Sequence, residues 1–241
     1  MLADQELTRT GSPAEARIRT SLGDAIAIVE EQGASSLTFR SLAQRTGSSH
    51  TKAWSDFGDR VGLLAAVASA GFERLLANLL AAPADLEALA LTYIDFATKH
   101  PQLHRVMHDP ELWAGIAAVE AQAAADAGAS PEPARDSRSL RARADRARER
   151  WLAELERARN ACFAPFGHAA TERARSMPGV PAGRLALMVT ALADGIIRQH
   201  VDEQVMAHAS PERRRAEAAA LIGLALWGAG GASGRGGGTT G

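Results

Sequence analysis

The spacing of apolar residues between Arg17 and Leu64 constrains the fold of this chain more than any other feature of its sequence. Apolar residues there recur three and four positions apart, which is the period of an amphipathic helix. Thr38 precedes the second apolar run and Ser49 precedes the third, at the positions of helix N-caps. The stretch therefore predicts three helices and the start of a fourth. The glycines predicted to end the first three are Gly33, Gly47 and Gly58.

Two short helices joined by a tight turn at Gly47 have the outline of a helix-turn-helix. In that unit the second helix lies in the major groove of DNA and the first crosses the phosphate backbone. The recognition helix would be the third helix, at about 49–57. Its small and polar side chains suit hydrogen bonds to base edges and phosphates. The predicted contacts on this helix are Ser49, His50, Thr51, Lys52 and Ser55.

A longer pattern surrounds this motif and keeps its register without a gap. It resembles the DNA-binding domain of the TetR family of bacterial regulators over residues 14–74, with the helix-turn-helix at 37–56. The resemblance implies that Thr38 caps the second helix and touches a phosphate, and that Trp54 replaces a phosphate-binding Tyr. It also implies that Arg60 replaces a Lys near the DNA backbone. The matching elements are Ala-x-x-x-Val/Leu-x-x-x-Gly, Thr38 with Leu42-Ala43, Gly47-x-Ser49, aromatic-x-x-Phe and Leu63-Leu64.

The charge of the chain does not by itself indicate nucleic-acid binding. The net charge is -1 and the pI is about 6.7, so the whole protein is no generic polyanion binder. Residues 1–60 carry seven Lys and Arg against eight Asp and Glu. We therefore predict that the signs are segregated, with the acids on the first helix. The basic residues predicted around the recognition helix are Arg40, Arg45, Lys52 and Arg60.

The rest of the chain predicts further helices and no strands, so the fold class is all-α: a three-helix DNA-binding domain followed by a larger helical ligand-binding and dimerisation domain. The domains are predicted at 14–74 and 75–228, with flexible tails at 1–13 and 229–241. A long helix over 61–80 leaves the first domain. Later elements are predicted as a loop at 126–139, an arginine-rich helix at 140–163, a break at Pro165-Phe166-Gly167 and a long helix at 182–207.

Aromatic and Met side chains spread over several helices suggest a pocket for a small, partly apolar effector, although ordinary core packing explains any single one of these residues better. Residues 83–115 resemble a C-terminal subtype within the TetR family that carries a Trp-His-Gly signature, a tripeptide absent from this chain. The predicted pocket residues are Tyr93, Phe96, His104, Met107, Trp113, Trp151, Phe163 and Phe166.

The last two long helices are apolar nearly all round, so each needs cover on two sides. The resemblance to the TetR family implies that they pair with their copies as a four-helix bundle in a homodimer. The predicted interface residues are Leu185, Val189, Leu192, Ile196, Leu221 and Leu224.

Several kinds of chemistry find no support in the sequence. The single cysteine, Cys162, excludes an internal disulfide and suits core packing. His104 and His108 are four residues apart, but polar pocket or surface histidines explain them better than a metal site. No nucleophile or dinucleotide motif occurs, and we expect no metal, cofactor or enzymatic activity. No signal peptide or membrane span is expected, so we predict a cytoplasmic protein.

Together the patterns predict a DNA-binding transcriptional regulator. The resemblance to the TetR family implies a repressor, which we expect a small-molecule effector to release from a double-stranded operator. One alternative is a helical interaction protein whose helix-turn-helix no longer reads DNA, which Ser48, Trp54 and the neutral charge balance permit. The other is a helical enzyme that uses the pocket, through His104. The sequence identifies neither the operator nor the effector.

Overall fold

The structure is a computed structural model that describes residues 12–126, 139–177, 179–202 and 209–231. Within these ranges every regular element is helical, which confirms the predicted all-α class. A 3₁₀ turn at Ala34–Ser36 follows the first helix and a π-helical turn at Arg198–Asp202 follows the ninth. The α-helices are α1 Pro13–Gln32, α2 Phe39–Thr46, α3 His50–Phe57, α4 Arg60–Ala81, α5 Leu86–Lys99, α6 Pro101–Met107, α7 Pro110–Asp126, α8 Leu140–Ala174, α9 Ala182–Ile197 and α10 Pro211–Gly231.

The first helix begins and ends where its sequence specifies. The Ser12 backbone N–H donates to Glu15 Oε2 at 2.8 Å, and Glu15 N–H donates to Ser12 Oγ at 3.3 Å. This reciprocal capping box satisfies two backbone donors that the first turn leaves open. Pro13 follows at the first helical position, which needs no N–H. The helix stops at Gly33, whose φ of 82° is accessible to glycine at little cost.

The chain divides into two compact units, and each unit is built from two separate segments of the sequence. The first unit contains the chain up to Ala68 together with Arg105–Leu155, and the second contains Ser69–His104 and the chain from Glu156 onward. Helices α7 and the first half of α8 therefore belong with α1–α3. The functional division predicted at residues 74 and 75 stays a prediction, since compactness does not measure function.

The second unit has its core between α5 and the last two helices. One face of α5 packs on α9, and α10 also contacts α5 and α9. Tyr93, Phe72 and Phe166 are fully buried in this unit. Each large apolar side chain removed from water contributes about 1.5–3 kcal/mol, so this face holds the unit together.

Helix α8 continues through Pro165, so the predicted break at residues 165–167 was wrong. A proline inside a helix costs about 3 kcal/mol because it removes a backbone donor and crowds the preceding turn. Buried side chains on both sides of Pro165 keep the helix in place, among them Cys162, Phe166 and Ala170. Their burial offsets the local cost, and the helix ends at Ala174 instead.

The other predicted boundaries hold to different extents. The predicted helix at 182–207 is α-helical only to Ile197, where the π-helical turn takes over. Residues 203–207, and most of the predicted loop at 126–139 and of the two tails, lie outside the described residues.

Helix α4 is long and apolar enough to cross a membrane by length and composition. However, 61% of its 18-residue window is buried inside the protein. Buried core helices of this length pass the same test, so the helix is weak evidence for a membrane span.

Candidate nucleic-acid interface

Helix α2 is fixed at its start by Thr38, as the sequence predicted. Ser41 N–H donates to Thr38 Oγ1 at 3.0 Å, and Thr38 N–H donates to Ser41 Oγ at 2.9 Å. Such a cap is worth about 1 kcal/mol. Thr38 is exposed, so its hydroxyl lies at the surface at the first turn of α2.

The turn between α2 and α3 has the backbone of a tight helix-turn-helix corner. Gly47 lies in the left-handed region with φ 66°. The hydroxyl of Thr46 donates to Ser48 Oγ at 2.8 Å, and Ser48 N–H donates to Thr46 Oγ1 at 3.2 Å. Ser48 therefore finds its hydrogen-bond partners within the turn itself.

Helix α3 presents one polar face and one apolar face. Ser49 accepts from Lys52 N–H at 3.3 Å and caps the helix as predicted. Ala53 and Phe57 are buried, so they hold the helix against its unit. Trp54 and Ser55 are half-buried. The exposed members of the predicted contact set are Ser49, His50, Thr51 and Lys52.

The four basic residues around α3 do not play one role. Arg40 and Lys52 are exposed, and neither side chain has an ion-pair partner in the described part of the chain. Arg45 instead donates to both carboxylate oxygens of Glu31, at 2.7 and 2.8 Å. The Arg45 hydrogen bond lowers the pKa of Glu31. Arg40 and Lys52 therefore keep a positive charge that no ion pair compensates among the described residues.

The Arg60 side chain forms hydrogen bonds with the backbone of the same chain. Its guanidinium donates to the carbonyls of Leu37 and, at 3.0 Å, of Ala34. These contacts tie the start of α4 to the connection between α1 and α2. Because those donors are engaged, a phosphate contact by Arg60 would use the rest of its guanidinium.

Sequence reasoning missed an ion pair between α1 and α3. Arg17 contacts both carboxylate oxygens of Asp56, at 2.9 and 3.1 Å through Nη2 and at 3.2 Å through Nε. The Asp56 side chain is 12% exposed, so the pair is partly shielded from solvent. A bidentate pair of this kind fixes the angle between two helices as well as adding energy. No spacing in the sequence links residues 17 and 56.

The first half of α8 packs directly on the end of α3. Trp151 Nε1 and Arg150 Nη2 both donate to the Asp56 carbonyl at 3.1 Å. The Trp151 ring also stacks on Phe57, with centroids 5.9 Å apart. One turn earlier, Arg148 Nε lies 3.3 Å from Asp59 Oδ2. Helix α8 thus holds the end of α3 in place through Arg150 and Trp151.

Replacing Trp151 with alanine should cost about 3 kcal/mol of the free energy of unfolding. The change removes the stacking on Phe57 and one of the two donors to the Asp56 carbonyl. Trp151→Phe keeps an aromatic ring and loses only the N–H, so it should cost about 1 kcal/mol. Urea unfolding followed by circular dichroism measures both. Equal losses in the two variants would contradict the anchoring role of the ring.

The eight residues predicted to line one effector pocket fall in both compact units. Tyr93, Phe96, His104, Phe163 and Phe166 lie in the second unit, and Met107, Trp113 and Trp151 lie in the first. Trp113 Nε1 donates to the Met107 carbonyl at 3.1 Å. Trp151 has the anchoring role described above. The common pocket therefore stays a prediction.

Tyr93 is the polar centre of that group. Its hydroxyl donates to Asp194 Oδ1 at 2.8 Å and lies 3.2 Å from His104 Nε2. Burial and the neighbouring Asp194 carboxylate raise the pKa of Tyr93, so the phenol stays protonated and donates. Phe163 packs edge-on against the Tyr93 ring, with centroids 6.0 Å apart. Burial also raises the pKa of Cys162 to about 12, consistent with a packing role.

The predicted dimer residues divide between the core and the surface of one chain. Leu185, Val189 and Ile196 are buried within the second unit, so they support α9 rather than a partner, and Leu192 is half-buried. Leu221 and Leu224 are exposed as the interface prediction requires. Two side chains outside the predicted set, Leu187 and Trp227, are 69% and 82% exposed. The apolar face available to a partner therefore consists of Leu187, Leu221, Leu224 and Trp227.

Among the described residues no group of three His, Cys, Asp or Glu side chains is placed to hold a metal ion. His104, one of the two histidines considered as a pair, is buried beside Tyr93.

Comparison with solved structures places this arrangement in a known fold. A protein of unknown function from Rhodococcus sp. RHA1 superposes with a TM-score of 0.60 at 24% identity, over 93% of this chain and 98% of the other. A bacterial regulatory protein in the TetR family from Rhodococcus RHA1 superposes with a TM-score of 0.52 at 20% identity, over 91% and 98%. The chain has the TetR fold. No protein-family model and no curated protein matches the sequence.

The TetR fold covers both compact units, because the superposition spans nearly the whole chain. It agrees with the all-α class and with the N-terminal helix-turn-helix predicted from the sequence. The Trp-His-Gly subtype is addressed by neither comparison and stays a prediction.

Proposed function

We propose that this chain is a DNA-binding transcriptional regulator that acts in the cytoplasm as a homodimer and has no enzymatic role. The observation that carries the proposal is the exposed polar N-terminal end of α3. Ser49, His50, Thr51 and Lys52 are consecutive exposed residues there, directly after a capped α2 and a left-handed glycine turn. A recognition helix needs such residues for base edges and phosphates.

Two further observations support DNA as the partner. Arg40 and Lys52 leave positive charge exposed at the helix-turn-helix, although the chain as a whole is nearly neutral. One structure of the same fold is named as a bacterial regulatory protein in the TetR family. Localised charge of this kind attracts the DNA backbone where a uniformly neutral surface would not.

In a homodimer, each of the two recognition helices can bind one half-site of the operator. Two copies place two recognition helices in successive major grooves, about one helical turn apart, on a near-palindromic operator. The exposed apolar residues Leu187, Leu221, Leu224 and Trp227 on α9 and α10 support pairing of these two helices with their copies. Large exposed apolar side chains on neighbouring helices are typical of subunit interfaces.

The regulatory mechanism we propose is repression relieved by a small-molecule effector. An effector that binds better to a form with unsuitably spaced recognition helices lowers the affinity for the operator. Coupling of this kind is typically 1–3 kcal/mol, or about 5- to 150-fold in affinity. The aromatic group around Tyr93 and His104 supports a partly apolar effector.

Fluorescence anisotropy of the purified protein on DNA from its own upstream region tests DNA reading. Titrations at several salt concentrations, with random DNA as competitor, separate specific from general binding. We expect binding that survives the competitor. Binding no stronger than to random DNA, both here and in a genome-wide selection of bound fragments, would contradict the proposal and favour an interaction protein that has lost DNA reading.

Replacing Lys52 or Arg40 with alanine should weaken binding to all DNA sequences about equally. Each side chain is exposed and suited to a phosphate, so its loss should also reduce the salt dependence, by about one in the logarithmic slope per lost contact. Arg173→Ala, an exposed charge on α8 outside the helix-turn-helix, is the matched control and should leave the slope unchanged. Lost discrimination between sequences at unchanged overall affinity would show that the side chain contacts bases instead.

A further inference from the structure

The second unit contains a groove with several charged lining residues that none of the functional assignments above uses. It has a volume of about 470 Å³ and lies among the end of α5, the π-helical turn and the start of α10. None of its lining residues belongs to the predicted effector pocket. Its charged lining comes from Asp95 and Lys99 on α5 and from Arg214 and Arg215 on α10, and His200 lines it from the π-helical turn.

Two buried nitrogen atoms that belong to residues lining this groove have no hydrogen-bond partner among the described residues. They are Nδ1 of His200 and Nε of Arg214. His200 is only 7% exposed, so water does not readily satisfy its ring. A buried polar atom without a partner is destabilising, and a ligand that accepts hydrogen bonds would remove that cost. The two orphaned atoms therefore indicate an occupant.

The charges around the groove favour an anion. Lys99, Arg214 and Arg215 supply three positive charges, and Arg215 forms an ion pair with the single carboxylate, Asp95. Burial and the nearby Arg214 lower the pKa of His200, and the nearby Glu217 opposes them, so the imidazole is neutral at neutral pH. The groove also lies at the N-terminal turn of α10, where the helix dipole favours negative charge.

From this juxtaposition we propose that the groove binds a small organic monocarboxylate. The carboxylate accepts hydrogen bonds from the Arg214 guanidinium and the His200 ring. Planar guanidinium groups match carboxylates geometrically. The organic part of the acid lies against Ile94, which also lines the groove. Asp95 disfavours a dianion such as phosphate, because a second negative charge would face its carboxylate.

This assignment goes beyond the proposed function, because the groove shares no lining residue with the effector pocket around Tyr93 and His104, and acid binding needs no DNA. The test is isothermal titration calorimetry of the full-length protein with sodium benzoate and, separately, sodium hexanoate. Benzamide serves as the uncharged counterpart of benzoate, and inorganic phosphate as the competing anion. We expect at least one acid to bind with a Kd of about 1 mM or tighter, and benzamide and phosphate to bind at least about tenfold more weakly.

Two variants and one matched control complete the test. Arg214→Gln removes the charge and should reduce the affinity for the acid about tenfold or more. His200→Ala should also reduce it. Arg213→Gln removes an exposed charge one position away on α10, outside the groove, and should leave it unchanged. Circular dichroism melting shows whether each variant is folded. If His200→Ala does not fold, Arg214→Gln alone tests the assignment.

Each contrary result overturns the assignment. It fails if neither acid binds, if benzamide binds as well as benzoate, if phosphate binds more tightly than both acids, or if Arg213→Gln weakens binding as much as Arg214→Gln. The calorimetry tests acid binding and the anisotropy experiment tests DNA binding. Either assignment can therefore fail without the other.

Discussion

Replacing Gly62 with alanine should cost at least about 3 kcal/mol of the free energy of unfolding. A Cβ at this position would lie 2.0 Å from the Phe57 carbonyl oxygen and 3.1 Å from Arg148 Cα. Both neighbours are backbone atoms, which cannot rotate away as the end of a side chain does. Gly62 is also buried, so the added methyl group cannot turn toward solvent. The steric clash can be relieved only if the end of α3 and helix α8 move away from the new methyl group.

Urea unfolding followed by circular dichroism measures the loss, and anisotropy on the operator measures its effect on DNA binding. Gly23→Ala is the matched control, because a Cβ in the middle of α1 meets nothing within 4 Å. Alanine has the higher helix propensity, so this control should gain up to about 1 kcal/mol. An unchanged urea midpoint for Gly62→Ala would show that α8 is not held so close to the α3–α4 turn.

The double substitution of Leu224 and Trp227 with aspartate should convert the proposed homodimer into monomers. The two side chains are 71% and 82% exposed in one chain, so they contribute little to its own core. Two charges placed on each side of an interface would be buried without partners, at several kcal/mol. We expect the dimer Kd to rise at least about 100-fold, with a loss of tight operator binding.

Sedimentation velocity across a range of protein concentrations measures this change. Leu80→Asp, which places the same charge on an exposed leucine of α4, is the control and should leave association unchanged. Thermal unfolding of the dilute variant should stay close to that of the unmodified monomer. A dimer that survives the double substitution would show that another surface forms the interface.

The sequence predicted the helix-turn-helix because its signals are local. Thr38 and Ser49 cap helices through side chains three residues away, and Gly33 and Gly47 adopt backbone angles that other residues avoid. Such contacts depend on neighbours in the chain, so spacing alone reveals them. The likeness of the chain to the TetR fold followed from the same local register.

The role of α8 could not be read from spacing. The sequence predicted only an arginine-rich helix over 140–163, yet Arg150 and Trp151 donate to the Asp56 carbonyl, about 95 residues earlier in the chain. Pro165 indicated a break, yet packing of Cys162 and Phe166 holds the helix through it. In both cases contacts with residues far away in the sequence stabilise the helix more than the local sequence preference opposes it.

The groove at His200 belongs to the same class of feature. Its charges come from α5 and α10, which are more than 100 residues apart in the chain, and a lone histidine after a helix carries no sequence signal. The sequence by itself determined the helices, their caps and the polar face of α3, because these depend on bonds and periods within one segment. Tertiary structure alone decided which arginines pair with acids, which leucines stay exposed and which polar atoms lack partners. Those outcomes depend on burial, and burial is set by contacts between segments that lie far apart in the chain.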